Sequence, residues 1–488
     1  MARLRARRSR YRFTHRLAGS APVAIVAILL LLLIGGSTLL ASRGLAFLNH
    51  VTSGGVTIST ITQAAGITEP PLGSIAYRLK HRLSPPINIL VLGYGGAEND
   101  APYLTDTLMA LRIDPASGRV AMISIPRDLY ISIDAWPASA RITDREKINA
   151  AFEYGTDESH LIENSLKKPD YRGRDGGGHL AEDTVGKVTG LHFDRYAAVD
   201  FKAFRQVVDA IGGVDVCLDT ALDDYSYPNY SNGYIRGGIH FRAGCQHVNG
   251  EQALELSRSR DAVEAAQASD FGRARRQQQI INAVKKQALT VNGLSKGLQL
   301  MTALNDNFRT DLSVDDISAI YSWSRTLDDS STLHYALTNS NLLTTGGCGP
   351  GSAGYILCPN DPSYQVIHDW VAQSFPPQPV LAAHAPVQVA WGGNPFDLAD
   401  GVTDLLKPYG FQVASPVRAR QSSATTVIYD FSGGQYPDTS AWLGRFFNAS
   451  VVTPTPATPA PTFIPANQGF VVYLGHDYGV RWYNLAHG

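Results

Sequence analysis

A long uncharged segment near the N-terminus constrains the topology of this 488-residue chain more than any other feature. Residues 21–41 contain no charged side chain and consist mostly of leucine, isoleucine, valine and alanine. A helix rises about 1.5 Å per residue, so a segment of this length matches the roughly 30 Å hydrocarbon core of a bilayer. We therefore predict a transmembrane helix over residues 21–42. A cleaved signal peptide is the alternative, although its apolar core is usually only about 7–15 residues long.

The charges around this segment predict its orientation. Seven arginines and no acidic residue precede it, which by the positive-inside rule keeps the basic tail at residues 1–20 in the cytoplasm. The rest of the chain then lies outside the cell, beginning with a juxtamembrane segment at 43–85. Without those seven arginines, 35 basic residues face 43 acidic ones, so we expect no nucleic-acid partner.

Four cysteines fit an external, oxidising location. We predict disulfides between Cys217 and Cys245 and between Cys348 and Cys358, with free buried thiols as the alternative. Zinc binding is disfavoured, because the chain contains neither C-x-x-C nor H-E-x-x-H and its thirteen histidines form no cluster with metal-ligand spacing.

Short apolar runs predict a mixed α/β domain over residues 86–375. Ile87–Gly93, Thr107–Ile113 and Val120–Ile125 are predicted strands, and the last two flank a hairpin turn at 114–118. A hairpin returns its end next to its start, so we expect Asp106 and Arg127 to be close neighbours. A simple structural ion pair is the alternative to a functional one.

Later patterns add a parallel part to the predicted sheet and several helices. Tyr196–Phe201, Lys202–Ile211 and Gly213–Leu218 have the pattern of a strand–helix–strand unit, which predicts parallel strand pairing. A charged, glycine-rich loop is expected at 168–178, and an aromatic-rich connection at 219–249. The remaining predicted elements are helices beginning near Lys147, Glu182, Gly250, Gly272 and the capping box at Ser313–Asp316, and a final strand at Leu333–Leu337.

A second, smaller α/β domain is predicted at the C-terminus. Prolines and alanines mark a linker at 376–386, and residues 387–488 then alternate between strand and helix patterns. This domain is interpreted as a binding module, with a passive stabilising domain as the alternative. Its predicted elements are strands at Val387–Trp391, Thr425–Tyr429 and Phe470–Leu474 and helices at Leu398–Leu406 and Ser440–Phe447.

Five arginines lie within residues 258–276, which indicates a site for a multiply charged anion. Guanidinium groups stay ionised and offer paired donors that match phosphate oxygens. A solvated basic helix is the simpler alternative. The chain contains no P-loop motif. We infer a lipid-borne phosphorylated substrate whose charge is neutralised by arginines and by Mg²⁺ held on carboxylates.

Several motifs resemble those of the LytR–CpsA–Psr (LCP) family of cell-wall glycopolymer transferases. They occur in the family's order between about residues 86 and 340, and the last 100 residues resemble the C-terminal domain found in many members. The motifs are Thr105-Asp-Thr107, Ile123-Ser-Ile-Pro-Arg-Asp128, Lys147-Ile-Asn-Ala-Ala151, Val199-Asp-Phe201, Val208-Asp-Ala-Ile-Gly-Gly-Val214, Ser257-Arg-Ser-Arg260 and Asp270–Gln278.

This resemblance implies an α-β-α fold with a mixed central sheet and a transferase activity. The donor would be a glycopolymer on a polyprenyl diphosphate, and a hydroxyl of a peptidoglycan sugar would attack the phosphorus next to the polymer. The implied partners are this donor, peptidoglycan and membrane lipid, and the implied cofactor is Mg²⁺ or Mn²⁺. A diphosphatase and a non-catalytic envelope-binding or regulatory protein are the alternatives.

The resemblance also assigns roles to individual residues. Asp128 and Asp270 are the candidates for the general base. Many members carry a second acidic residue just after the first strand, where this chain has Tyr94, and Asp100 is the candidate to replace it as a metal ligand beside Asp106. A lipid groove is expected at Phe201, Phe204 and Val208, with core packing as the alternative. The diphosphate would contact Arg127, Lys147, Arg258, Arg260, Arg273 and Gln277, and Arg127, Asp128 and Asp270 are the candidate catalytic residues.

Overall fold

The computed structural model describes residues 69–477, apart from 98, 138–143, 230–232, 260, 265–266, 268–275, 278, 281, 285–286, 288–306, 328–330, 339–341, 351–353, 394–396, 458, 463 and 465–468. The predicted transmembrane segment lies outside the described residues, as do Arg260, Asp270 and Arg273. Within the described part of the chain, no helix combines the length and apolar character that crossing a bilayer requires. The described residues form two compact units. The first contains the residues up to Thr184 and His192–Ser331, and the second contains Val185–Leu191 and the residues from Thr332 onward.

A mixed sheet lies at the centre of the first unit, as predicted. Five of its strands, in spatial order, are Phe308–Thr310 (β11), Arg195–Asp200 (β6), Ile87–Tyr94 (β1), Thr105–Asp114 (β2) and Arg119–Ile125 (β3). Strand β1 pairs in parallel with β6 and antiparallel with β2, and β2 and β3 form the predicted hairpin. Residues of β1 and β2 are buried on both faces, which explains their nearly continuous apolar sequence.

Helices cover both faces of this sheet. On one face, Phe201, Phe204 and Val208 of helix Phe201–Ala210 (α4) belong to the same apolar cluster as residues of β1. The spacing i, i+3 and i+7 places these side chains on one side of the helix. On the other face, Phe152 contacts Tyr94 with ring centroids 5.2 Å apart. Helices with residues in this unit include Ile75–Lys80 (α1), Ala150–Gly155 (α2), Gly176–Thr189 (α3), α4, Gly250–Arg258 (α5) and Val314–Ser324 (α6).

The predicted strand–helix–strand unit is wrong in its last element. Strand Val214–Leu218 (β7) pairs antiparallel with Gly244–Val248 (β10) in a separate two-stranded sheet, and the parallel pair is β1 with β6. Gly213 has a positive φ of 83°, which helps to turn the chain away from the central sheet. Alternate residues of β7 are exposed, as is typical of an antiparallel ribbon with one solvated face.

Two predicted helix starts also require correction. The helix expected from Lys147 begins at Ala150, because residues Asp144–Lys147 (β5) pair with Tyr130–Ile133 (β4). The helix expected from Glu182 begins six residues earlier, at Gly176. A Cβ atom at Gly178 would lie 2.3 Å from the Tyr196 ring, so the glycines permit a close approach of helix and sheet. The capping box at Ser313 and Asp316 is confirmed, and the aromatic-rich connection contains strands Leu222–Asp224 (β8) and Ile239–Phe241 (β9).

The second unit contains the small α/β sheet predicted at the C-terminus. The five elements expected after residue 387 are all present, with ends that differ by up to three residues. Six residues of the predicted linker form helix Gln378–Ala383. The strands of the sheet are Gln412–Val413, Pro386–Trp391, Phe470–Leu474, Val427–Asp430 and Ser450–Val452 in spatial order, with Val417–Arg418 also on Pro386–Trp391. Other elements of this unit are strands Thr332–Ala336, Leu343–Thr345 and Leu357–Pro359 and helices Gln365–Ala372, Asp397–Leu406 and Pro437–Phe447.

Candidate substrate-binding site

Asp106 and Arg127 form a buried ion pair where β2 begins and β3 ends. Nη1 of Arg127 donates a hydrogen bond to Oδ1 of Asp106 at 2.5 Å. Both residues are only 8% exposed, which distinguishes them from an ordinary surface pair. The proximity expected from the hairpin is therefore confirmed.

A β-bulge sets the position of Asp106. In the pairing of β1 with β2, Gly93 lies opposite Thr107, but the next residue, Tyr94, lies opposite Thr105. Asp106 is thus the extra residue on β2, without a partner across the strand pair. Bulges of this kind bend the strand and re-aim a side chain, and they are frequent beside active sites.

Asp128 and Lys147 extend the ion pair into an alternating chain of charges. Oδ2 of Asp128 lies 3.4 Å from Nε of Arg127, and Nζ of Lys147 donates to Oδ1 of Asp128 at 2.7 Å. Strands β4 and β5 bring Lys147 to this place by pairing it with Tyr130. Burial by itself would lower the pKa of Arg127, but the charges of Asp106 and Asp128 outweigh it and raise that pKa, so the guanidinium stays ionised.

Arg258 lies on two aromatic rings. It is the last residue of α5, and its guanidinium carbon is 4.5 Å from the ring centre of Phe201 and 5.5 Å from that of Tyr227. Nη1 also donates a long hydrogen bond of 3.4 Å to the Tyr227 hydroxyl. The ring faces attract the cation electrostatically and hold its plane in a defined orientation.

Arg127 and Arg258 lie at the same end of the central strands, where β1 and β6 end and β2 begins. Tyr94, the last residue of β1, pairs with Thr105 on one side and with Asp200 on the other. The residues that follow those partners are Asp106, which binds Arg127, and Phe201, which underlies Arg258. Only β1 separates β2 from β6, so the two strands are about 10 Å apart.

Arg276 stabilises the C-terminal end of α5 through hydrogen bonds. The sequence did not reveal this structural role. The residue is 1% exposed, and its guanidinium donates to the carbonyl oxygens of Leu256 (2.7 Å), Ser259 (2.6 Å) and Gln267 (2.7 Å). The side-chain amide of Gln277 donates to the carbonyl of Ser257 at 3.3 Å. Charge clustering alone cannot separate an arginine that binds carbonyls from one that binds a ligand.

Asp224 provides a second anchor for the same segment. Its buried carboxylate accepts a hydrogen bond from the Ser259 hydroxyl at 2.8 Å. Asp224 ends β8, and Tyr227 follows three residues later, so the aromatic-rich connection supplies both an anchor and a ring for Arg258. The abundance of aromatic residues between 219 and 249 was the signal for this role.

The remaining sequence-predicted residues fall into three groups. Arg260, Asp270 and Arg273 lie outside the described residues. Phe201, Phe204 and Val208 are at most 1% exposed and pack in the core, so their contact with a lipid stays a prediction. Direct contacts of Gln277 and Lys147 with a diphosphate also stay predictions, since both side chains bind protein groups here.

The expected metal ligands are not equivalent. Asp106 is buried, whereas Asp100 is exposed in the loop after β1, and no hydrogen bond or ion pair joins the two within the described residues. Tyr94 packs against Phe152, and burial raises the pKa of its hydroxyl above the ordinary value. Position 94 therefore presents a neutral core side chain rather than an anionic ligand.

The chain is similar to several known proteins. It is 30% identical over 234 residues to a polyisoprenyl-teichoic acid–peptidoglycan teichoic acid transferase, TagU, of Oceanobacillus iheyensis, a match that covers 48% of this chain and 61% of TagU. It is 28% identical over 243 residues to TagV of Bacillus subtilis, which bears the same transferase name, covering 49% of this chain and 53% of TagV. The chain thus spans about three fifths or less of these two relatives' length.

Solved structures and a family model give two further matches. The crystal structure of Bacillus subtilis TagV shares 22% identity and a TM-score of 0.42, covering 60% of this chain and 98% of that one. The family model described as the LytR_cpsA_psr family matches residues 62–343, more than half of the chain. The matched residues include strands β1 to β3, the Arg127 ion pairs and Arg258. This protein is therefore a member of the LytR_cpsA_psr family.

Proposed function

We propose that this protein is a membrane-anchored, extracellular phosphotransferase that moves a glycopolymer from a polyprenyl diphosphate carrier to a sugar hydroxyl of peptidoglycan. The main support is that two buried, oriented guanidinium groups, those of Arg127 and Arg258, lie at the same end of the central strands. The transferase names of the TagU and TagV relatives agree with this proposal.

The reaction is a displacement at phosphorus. The peptidoglycan hydroxyl oxygen forms a bond to the phosphorus next to the polymer, and the bond from that phosphorus to the bridging oxygen breaks. Polyprenyl phosphate leaves with the electron pair, the hydroxyl proton passes to a base, and a phosphodiester joins polymer to wall. Negative charge increases on the departing phosphate, so fixed cations beside it stabilise the transition state.

Arg127 is suited to bind the diphosphate because its orientation is set before the substrate arrives. Asp106 holds Nη1 and Asp128 lies beside Nε, while Nη2 makes no hydrogen bond to any described residue. A donor in this arrangement can meet a phosphate oxygen without losing a protein partner. Asp128 is disfavoured as the general base, because Arg127 and Lys147 both stabilise its anionic form.

Asp106 has the chemistry expected of a Mg²⁺ ligand. Mg²⁺ in phosphate-binding sites commonly takes one or two carboxylates and completes its shell with water and substrate oxygens. Oδ1 of Asp106 accepts from Arg127, whereas Oδ2 accepts no hydrogen bond from a described residue, so one carboxylate oxygen fits this donor set. Mg²⁺ or Mn²⁺, when bound, would neutralise diphosphate charge, and Asp100 is the proposed second carboxylate.

Arginine substitutions test the proposal. We expect Arg127→Ala and Arg258→Ala to lower transfer from a lipid diphosphate donor to peptidoglycan by at least about 100-fold, the scale of losing one oriented donor to a transition state. Arg242→Ala is the matched control, because Arg242 is exposed in the turn between β9 and β10. Circular dichroism spectra of all three variants would establish that they are folded.

Product analysis separates the alternatives in the same assay. A polymer–peptidoglycan adduct supports transfer, whereas a free sugar phosphate would indicate a diphosphatase. Binding of the donor without any turnover, and without dependence on Mg²⁺ or on Asp106, would indicate a non-catalytic envelope-binding protein. Full transfer activity in Arg258→Ala would contradict the proposed role of the arginines.

A further inference from the structure

A histidine and two carboxylates meet between helix α3 and the edge strand β11. His179 and Glu182 are three residues apart on α3, so their side chains lie on the same side of the helix. Asp311 immediately follows β11. One potential ligand atom from each residue lies within 4.8 Å of the other two. Thr310 pairs with Ala197, so Asp311 lies toward the opposite end of β6 from Asp200 and the arginine site.

Hydrogen bonds from outside the cluster orient two of the three side chains. Nδ1 of His179 lies 3.2 Å from the carbonyl oxygen of Asp170, and a carbonyl only accepts, so Nδ1 carries the proton. The lone pair of Nε2 is then available to a cation. Oδ1 of Asp311 accepts the backbone N–H of Tyr196 at 2.8 Å. Such outer contacts are typical of metal ligands, because they set ring tautomer and carboxylate orientation.

The third side chain has a buried oxygen without a partner. Oε1 of Glu182 is shielded from solvent and accepts no hydrogen bond from any described residue. Buried polar atoms in folded proteins nearly always have partners, and an exception can mark a place where an ion binds. The nearby Arg195 does not fill this role, since its Nε lies 3.5 Å from the carboxylate of Asp316.

We propose that His179, Glu182 and Asp311 bind a divalent transition-metal ion of the Zn²⁺ type, at a site separate from the arginine site. An imidazole nitrogen with two carboxylates suits Zn²⁺, whereas Mg²⁺ and Ca²⁺ prefer oxygen ligands alone. Ligand atoms at about 2.1 Å from one tetrahedral ion are about 3.4 Å apart, so atoms separated by up to 4.8 Å approach by up to about 1.4 Å when the ion binds. The bound ion would join α3 to the edge of the sheet.

Zinc binding to the full-length protein tests this site. The protein, purified in detergent and stripped with a chelator, is titrated with ZnCl₂ by calorimetry and then heated with and without the metal. We expect one bound Zn²⁺ per chain and a higher Tm with zinc. His179→Gln and Glu182→Gln should each weaken binding at least tenfold and remove the Tm shift.

Two controls separate this site from others. His240→Gln alters an exposed histidine that also contacts a carboxylate, Asp223, and should bind zinc like the unmodified protein. Asp106→Asn, in the arginine site, should do the same. Unchanged affinity in both His179→Gln and Glu182→Gln, or no zinc uptake by the unmodified protein, would overturn the proposal.

A spectroscopic measurement keeps the proposal testable if a variant fails to fold. X-ray absorption at the zinc edge of the unmodified, zinc-loaded protein should show one imidazole among nitrogen and oxygen ligands at about 2.0–2.2 Å. A first shell of oxygen alone, or one that contains sulfur, would rule out this cluster as the binding site.

Discussion

At the scale of single residues, the same residue type serves different purposes according to its partners. Arg276 donates to three backbone carbonyls, so it stabilises the segment that carries Arg258. Arg258 instead lies on Phe201 and Tyr227, and Arg127 is held between two carboxylates. The partner set, rather than the positive charge, thus distinguishes a scaffold arginine from a candidate ligand-binding arginine.

Glu153 gives a pH-dependent prediction at the same scale. Burial, with a smaller effect from Glu146, raises the pKa of Glu153 to about 7 from an ordinary value of 4.5. Between these values the folded protein binds more protons than the unfolded chain, so the stability contributed by protonated Glu153 is complete below pH 4.5 and is lost as pH rises through 7. We expect Glu153→Gln to match the unmodified protein at about pH 5 and to be more stable by roughly 2–4 kcal/mol at about pH 8.

Urea unfolding at the two pH values measures this difference. Glu163→Gln is the control, because Glu163 is exposed and its substitution should change stability equally at both pH values. A Glu153→Gln effect that does not grow with pH would contradict the burial argument.

At the scale of elements, the close packing of α5 on α4 brings Arg258 to Phe201. Gly250, at the start of α5, approaches the backbone of Arg205 in α4 so closely that a Cβ atom would lie 2.2 Å from its carbonyl oxygen. The N–H of Gly250 also donates to the carboxylate of Asp209 at 2.8 Å. The two helices that carry the cation and its aromatic platform are therefore held together by a backbone contact.

Gly250→Ala should weaken both stability and activity. The added methyl group must push α5 away from α4, which we expect to cost about 1–3 kcal/mol in the free energy of unfolding and to lower transfer by displacing Arg258. Thermal unfolding and the transfer assay measure the two effects. Gly233→Ala is the matched control, since its nearest neighbour is the exposed Asn229 side chain at 3.3 Å. Equal behaviour of both variants would refute the packing argument.

At the scale of the whole molecule, each compact unit contains one disulfide. Both predicted pairs are present: Cys217–Cys245 joins β7 to β10, and Cys348–Cys358 lies in the second unit. These two bonds use all four cysteines of the chain. The pairing agrees with the proposed extracellular location, where disulfides form and persist.

Removing the disulfides should affect the two units unequally. A disulfide restricts the unfolded chain more when it closes a longer loop, and the separations are 28 and 10 residues. We expect Cys217→Ser with Cys245→Ser to cost about 3–4 kcal/mol, and Cys348→Ser with Cys358→Ser about 1 kcal/mol less. Hydrogen exchange of peptides from each unit, recorded as the temperature rises, measures the loss in each unit separately. A larger loss from the shorter loop would contradict the loop-entropy argument.

Local sequence patterns determined much of the fold. Apolar runs located β1, β2, β3 and β6, and the turn at 114–118 was enough to place Asp106 beside Arg127. The capping box at Ser313, the disulfide pairs and the α/β elements after residue 387 were also predictable. The disulfide pairs were predicted from the number and order of the four cysteines. The other features depend on neighbours within a few residues or on one short turn, so periodicity and hairpin geometry are sufficient to predict them.

Tertiary structure alone decided the features that depend on distant segments. The bulge at Asp106 arises from the register of β1 against β2, and the pairing of β7 with β10 follows from a turn at Gly213 that no apolar pattern encodes. Likewise, the ring under Arg258 and the cluster at His179 come from elements far apart in the chain. The sequence therefore determined which residues could carry the chemistry, while packing decided their partners, because partner choice depends on contacts across the whole fold.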